Sequence, residues 1–176
     1  MTRSALICVV VILGLVALAT GQQALQEASV KMSGKTITLK YSAPSMGGRK
    51  IFGGVVPFNQ VWRAGAGAAA FHTDADLEVQ GLSVPKGDYT LFVLPDSLEW
   101  QLIISKQTGP QAATYNPKMD LGRVPMDMKK AGAPIENLRM TLTSFGSVAG
   151  KLEMAWENTI ASVPFNIDAV KANREW

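Results

Sequence analysis

Cysteine is nearly missing from these 176 residues: the one example, Cys8, lies in an apolar stretch near the N-terminus. Past that stretch the chain has no thiol for a disulfide, a nucleophile or a soft-metal ligand. Histidine is equally scarce, His72 being the sole example. A His-rich metal site is therefore excluded, as is a second imidazole to share acid/base duty. No Gly-x-Ser-x-Gly elbow occurs. Charge of one sign is also lacking, because 17 Lys+Arg against 14 Asp+Glu leave only +3. Nucleic acid needs a patch of several phosphate-neutralising groups, and these charges are scattered. There is no sustained 3.6-residue apolar stripe, no internal repeat and no low-complexity linker. No cofactor and no metal set is expected.

What is present begins with a leader. Met1-Thr2-Arg3 is a short basic start, and Ala5 to Ala19 is free of charge. Ala17 with Ala19, or Ala19 with Gly21, supplies the small residues of a cleavage site. This is the layout of a secretory signal peptide, assigned to residues 1–21. The run is shorter than the roughly 20 residues a membrane span needs; an uncleaved anchor is the alternative. No cysteine follows it to carry a lipid. The expectation is an exported chain, periplasmic or extracellular, with no membrane span after cleavage. Residues 22–176 form one domain, long enough for its own core.

Period two dominates that domain. Ile37, Leu39 and Tyr41 alternate with Thr36, Thr38 and Lys40; Leu138, Met140 and Leu142 with Arg139, Thr141 and Thr143; Leu152, Met154 and Trp156 with Lys151, Glu153 and Glu157. Each run reads as a strand with one buried face. Tyr89 to Leu94 is apolar on both faces and should be central, paired with Trp100 to Ser105 through the Pro95-Asp96-Ser97 turn. Val30/Met32, Leu77–Val79, Leu82–Val84 and Ile160–Ile167 complete the set. Ser33-Gly34-Lys35, Gln80-Gly81, Pro85-Lys86-Gly87-Asp88 and Gly146–Gly150 supply the turns. Pro164 predicts an edge position for the last strand. The helix candidates are short: Ala24 to Ala28, and Asp168 to Arg174. About nine antiparallel strands predict an all-β fold, a β-sandwich or jelly-roll-like domain. Trp100 and Trp156 fall on apolar strand faces and belong to its core.

Two stretches break this rhythm: Ala43 to Ala70, and Gln107 to Gly122. Long aperiodic loops in a compact domain are usually functional. The first holds Gly48-Arg49-Lys50-Ile51-Phe52-Gly53-Gly54-Val55-Val56-Pro57-Phe58, then Val61-Trp62-Arg63 and Gly65. Further on come Pro85-Lys86-Gly87-Asp88-Tyr89-Thr90-Leu91-Phe92, Trp100, Tyr115-Asn116-Pro117, Asp120, Arg123-Val124, Leu152–Trp156 and Val163-Pro164. Together these blocks resemble domain-of-unknown-function family 2911, exported bacterial proteins without an assigned activity. The resemblance covers nearly the whole mature chain and implies a secreted all-β domain. It implies no reaction. One departure stands out: a polar Ala-Asn-Glu-Ala-Thr run usual in that family is replaced here by Ala66, Gly67, Ala68, Ala69 and Ala70.

The candidate binding residues are Arg49, Trp62, Arg63, Tyr115, Asn116, Asp120 and Arg123. An arginine fork recognises carboxylate or phosphate, and a tryptophan face stacks on a sugar or a cation. The competing reading is internal: Arg63 tying loop carbonyls, Arg49 paired with an acid such as Asp120, Trp62 plugging the core. His72, Asp74 and Asp76 would share one strand face, where a metal or a His-Asp pair is conceivable, yet both aspartates also read as turn residues. The residues thus point to a binding module for a glycan, a peptide or a small anionic ligand, built on the two aperiodic stretches. The alternatives are a small envelope hydrolase or lyase using His72 or Asp120, and an assembly module that docks an envelope protein. Catalytic residues are not identifiable, and Arg49, Arg63, Tyr115 and Asp120 are expected to converge.

Overall fold

The computed structural model describes residues 25–167. The leader with its cleavage positions, the helix candidate at 168–174 and Trp176 lie outside the described residues. Nine strands form: β1 (Leu25–Met32), β2 (Lys35–Ser42), β3 (Ala69–Thr73), β4 (Leu77–Val79), β5 (Leu82–Val84), β6 (Gly87–Pro95), β7 (Trp100–Ser105), β8 (Asp120–Phe145) and β9 (Ala149–Ile167). They lie in the order β1-β2-β3-β6-β7-β8-β9-β4-β5, antiparallel throughout. The all-β antiparallel class and the count of about nine strands hold, although the runs read at 151–157 and 160–167 are one strand, β9, and β3 is added. Two hairpins turn on residue pairs with positive φ, Ser33-Gly34 (48° and 74°) and Gln80-Gly81 (49° and 82°). That is the primed turn whose twist matches paired strands.

Strand β8 joins the two layers. Its first residues pair with β7, from Ser105↔Asp120 to Trp100↔Met126. From Asp127↔Ser162 onward it pairs with β9. The sheet folds over at this shared strand, so its halves face each other. Phe71, Leu91, Leu102 and Ile104 of one half meet Val79, Leu152, Val163 and Phe165 of the other, with about 10 Å³ of free space between them. A Cβ added to Gly122 of β8 would come within 2.6 Å of the Leu82 side chain on β5, which shows how closely the last hairpin covers the first layer. Strands β1 and β5 remain edges, so the sheet does not close into a barrel.

Two expectations change. The helix candidate at Ala24–Ala28 is strand from Leu25 on, with Glu27 opposite Lys40 and Ala28 opposite Leu39. So short a helix cannot stand alone in water, whereas β2 offers a complete ladder. Pro164 does not mark an edge, because β9 lies between β8 and β4. It falls in the gap between two ladders: the last pair with β8 is at Ser162 and the first with β4 at Phe165. A residue without an N–H is tolerated there.

Alternation places Ile37, Leu39 and Tyr41 inward with Trp100 and Trp156, each of these five at most 5 % exposed. The Tyr41 hydroxyl crosses between layers. It accepts from the Met140 backbone N–H at 2.9 Å and donates to the Met140 carbonyl at 3.3 Å. Tyr41→Phe would leave the Met140 amide group without this partner in a dry interior. We predict a loss of about 1–3 kcal/mol in urea denaturation; an unchanged midpoint would show that the contact is idle.

Candidate functional site

The first aperiodic stretch folds as a plug. Ile51, Phe52 and Val56 are buried because the chain turns tightly on itself, Val55 N–H donating to Lys50 and Val56 N–H to Ile51. A Cβ at Gly54 would collide with the Lys50 carbonyl, so this turn requires glycine. The Phe52 ring lies 4.4 Å from that of Trp100, edge-on, and 6.1 Å from that of Trp156. Trp62 stacks on Trp156 at 5.8 Å and 22°, while its backbone pairs with Val93 through bonds of 2.7 and 2.8 Å. The Glu157 carboxylate, on a residue with φ of 54°, accepts the N–H groups of Ile51 (3.3 Å) and Phe52 (3.1 Å). Arg49 donates to the carbonyls of Met46 and Ser45, both at 2.9 Å. In this arrangement Arg49 braces its own turn, and Trp62 completes an aromatic cluster.

The second aperiodic stretch lies against the outer face of the sheet. Phe92 and Ile103 are cross-strand partners pointing away from the main core, yet both are fully buried. The segment Gly109–Ala113, a 3₁₀ turn, brings Ala112 into a buried position, and the Tyr115 ring meets Phe92 edge-on at 5.0 Å. One side chain ties the segment down. Buried Gln107 donates from Nε2 to the carbonyls of Gln111 and Thr114, both at 2.8 Å, and its Oε1 accepts the Asn116 N–H at 2.8 Å. Its own carbonyl accepts the Thr90 hydroxyl at 2.8 Å.

Tyr115, Asp120 and Arg123 come together beside it. The Tyr115 hydroxyl donates to Asp120 Oδ2 at 2.6 Å. Arg123 donates to the same oxygen at 3.1 Å and to the Tyr115 hydroxyl at 2.5 Å. Desolvation, and then the bond to Asp120, raise the Tyr115 pKa, so the phenol keeps its proton at neutral pH. Asp120 Oδ1 is buried without a hydrogen-bond partner among the described residues. Asn116 caps the second 3₁₀ turn by accepting from Lys118 N–H at 3.1 Å. Arg63 joins the two aperiodic stretches, its guanidinium donating to the Ala113 carbonyl at 3.4 Å. The structure therefore gathers Arg63, Tyr115, Asn116, Asp120 and Arg123 around one segment, whereas Arg49 and Trp62 make their contacts in the plug.

Next to that segment the outer face is open. Register places Glu27, Lys40, Ala70 and Thr90 in one row across four strands, and Ser29, Thr38, His72 and Asp88 in the next. With Thr108 and Gly109 as one wall, these rows, Ser29 excepted, line a groove of about 510 Å³, within the size range of small-molecule sites. The low point is Ala70, whose methyl group leaves space between Lys40 and Thr90. His72 Nδ1 lies 2.7 Å from Asp88 Oδ1 and Nε2 lies 3.1 Å from Asp74 Oδ1. The bond to Asp74, then that to Asp88, raises the His72 pKa. Bonding to His72 lowers the pKa of Asp74. When protonated, the ring can donate one N–H to each carboxylate and then has no lone pair for a metal or for proton abstraction. Among the described residues no group of three His, Cys, Asp or Glu side chains is placed to hold a metal ion.

Sequence reasoning singled out His72 but not the groove around it, and it missed Gln107 and Glu157. Period two marks Thr38, Lys40, Ala70 and His72 as outward-facing. Only the ladder register shows that they are neighbours.

Comparison with known proteins gives one match: the family model described as protein of unknown function (DUF2911) covers residues 23–165. No curated protein and no solved structure matched the chain.

Two outcomes are expected here. Gln107→Leu leaves two carbonyls and one N–H unpaired beneath the second stretch and should cost about 2–4 kcal/mol in urea denaturation. A loss below about 0.5 kcal/mol would mean the amide is dispensable. His72, with its raised folded pKa, contributes stability that is complete below about pH 6.5 and is lost as pH rises through the folded value. Asp74 contributes above about pH 3.8 and loses this as pH falls through its lowered folded value. The Tm gap between the native chain and His72→Gln should be widest between these limits and narrow on the alkaline side. A gap that grows with alkalinity would contradict the pairing.

Proposed function

The chain belongs to the DUF2911 family, and from that premise we propose that it is an exported, non-catalytic binding module whose small polar ligand lies in the groove over Ala70. The observation that carries this reading is the groove itself. Its floor is rigid ladder, one wall is a segment pinned by a buried amide, and its lining combines donors and acceptors. Preformed concavity with a few convergent polar groups is what small-ligand sites share.

The state of the acid/base candidates supports binding over turnover. A hydrolase or lyase would need His72 or Asp120 to carry a proton. Both nitrogens of His72 are engaged, and Asp120 is bonded to Tyr115 and Arg123. Export is supported by the leader-like residues 1–21, and the absence of cysteine from residues 22–176 is compatible with it. A chain of this composition can live in an oxidising compartment without disulfides.

The test has two parts. Protein purified from the cell envelope or the medium should begin shortly after Ala19 or Gly21 by mass spectrometry; an intact Met1 start in the cytoplasm would contradict export. Thermal-shift screening should then find ligands that stabilise the native chain and fail to stabilise Ala70→Trp, in which an indole fills the groove. Equal stabilisation of both would place the ligand elsewhere, with Arg63, Tyr115 and Arg123 as the next surface to change.

A further inference from the structure

Resting on the binding reading above, we propose that the groove takes a neutral, hydroxyl-rich ligand, a saccharide of one or two rings, rather than an anion or a zwitterion. Each charge facing the groove already has a partner of opposite sign, and His72 has two, since Asp74 Oδ1 lies 3.1 Å from its Nε2 outside the groove. Lys40 Nζ lies 3.5 Å from Glu27 Oε2, and His72 Nδ1 lies 2.7 Å from Asp88 Oδ1. A phosphate or carboxylate brought to Lys40 or His72 would sit beside Glu27 or Asp88 and compete with it. A cation would meet the mirror-image difficulty. Electrostatic complementarity therefore favours a ligand that carries no charge of its own.

Each pair nevertheless keeps hydrogen-bonding capacity. An ammonium has three donor protons and a carboxylate about four acceptor sites, more than one contact uses. Glu27 and Asp88 make these contacts through Oε2 and Oδ1; among the described residues the second oxygen of each is not engaged in them and can take a ligand hydroxyl. A sugar hydroxyl both donates and accepts, so adjacent hydroxyls can give to these oxygens and take from Lys40 without breaking either pair. The hydroxyls of Thr38 and Thr108 extend the same lattice. Adjacent strands stand about 4.8 Å apart, so the backbones at Lys40 and Thr90 lie about 10 Å apart on either side of Ala70.

No aromatic face is offered to the ligand. Phe71 and Tyr89 line the groove with backbone, and their rings point inward, the residues being 5 % and 7 % exposed. Recognition then rests on hydrogen bonds between uncharged ligand hydroxyls and side chains whose charges are already paired. Those are weak singly and little affected by salt, in contrast to the binding of an anion by lysine.

The test is an NMR titration of the ¹⁵N-labelled chain as it is exported, with its leader removed. The probes are maltose, cellobiose and diacetylchitobiose, with inorganic phosphate, glucuronate and glycylglycine as charged competitors. A neutral disaccharide should shift the amides of Ala70, His72, Asp88 and Thr108, with affinity changed less than about twofold between low salt and about 0.5 M NaCl. Ala70→Trp should abolish these shifts, and Asp88→Ala or Lys40→Ala should weaken binding about tenfold. Binding of phosphate, glucuronate or glycylglycine in the groove without a neutral sugar would overturn the ligand class and leave the groove standing. A neutral sugar bound equally by the native chain and all three variants would overturn the groove and leave the class. No binding by any probe would overturn the proposal.

Discussion

The side chain of Gln107 is the contact on which the outer face depends. An amide has two donor protons and a carbonyl oxygen, and here all three are used on backbone groups of one short segment. An unsatisfied buried polar group is costly, whereas a satisfied one specifies a single arrangement. The segment from Gly109 to Asn116 has few apolar anchors besides Ala112 and Tyr115. Without the amide it would have little reason to lie flat over Phe92 and Ile103. With it, an irregular stretch becomes as definite as a strand and supplies the wall that turns an open sheet face into a groove.

The two aperiodic stretches divide the work. The first turns inward: Ile51, Phe52 and Val56 close one end of the folded sheet, Glu157 holds their backbone, and Trp62 stacks on Trp156. Its glycines serve close backbone approach, and its aromatic residues serve packing. The second turns outward and shapes a surface. Arg63 is the link, since it leaves the plug and reaches the Ala113 carbonyl. The outer face thus has a covered half over β6, β7 and β8 and an open half over β1, β2, β3 and β6. Function is expected at their boundary, where a rigid floor meets a fixed wall.

Much of the fold was legible because alternation is a direct signature of a half-buried strand. Thr36 to Ser42, Tyr89 to Leu94 and Lys151 to Glu157 could be placed from side-chain type alone. The first half of β8 was not legible. Pro125, Gly132 and Pro134 interrupt it, and its pairing with β7 and then β9 is a long-range choice. Strand β3 was hidden for a related reason, since Ala69 and Ala70 carry no pattern and only Phe71 and Thr73 mark the inner face. The site was legible in part. Tyr115, Asp120 and Arg123 do meet, and Arg63 does reach the second stretch. The groove was not, because Glu27, Lys40, Ala70 and Asp88 are brought together by register across four strands, which no local window of sequence contains. Gln107 looked like an ordinary loop residue, and only its burial reveals its role.

Native-state hydrogen exchange of the amides from Gly109 to Asn116 tests the account most directly. If the Gln107-held segment is a built wall, the Asn116 amide exchanges as slowly as strand amides of β6 and β7, with protection near that of global unfolding. If the Asn116 amide exchanges at the rate of an exposed loop while the strands stay protected, the wall is not fixed, and a preformed groove on this face is contradicted.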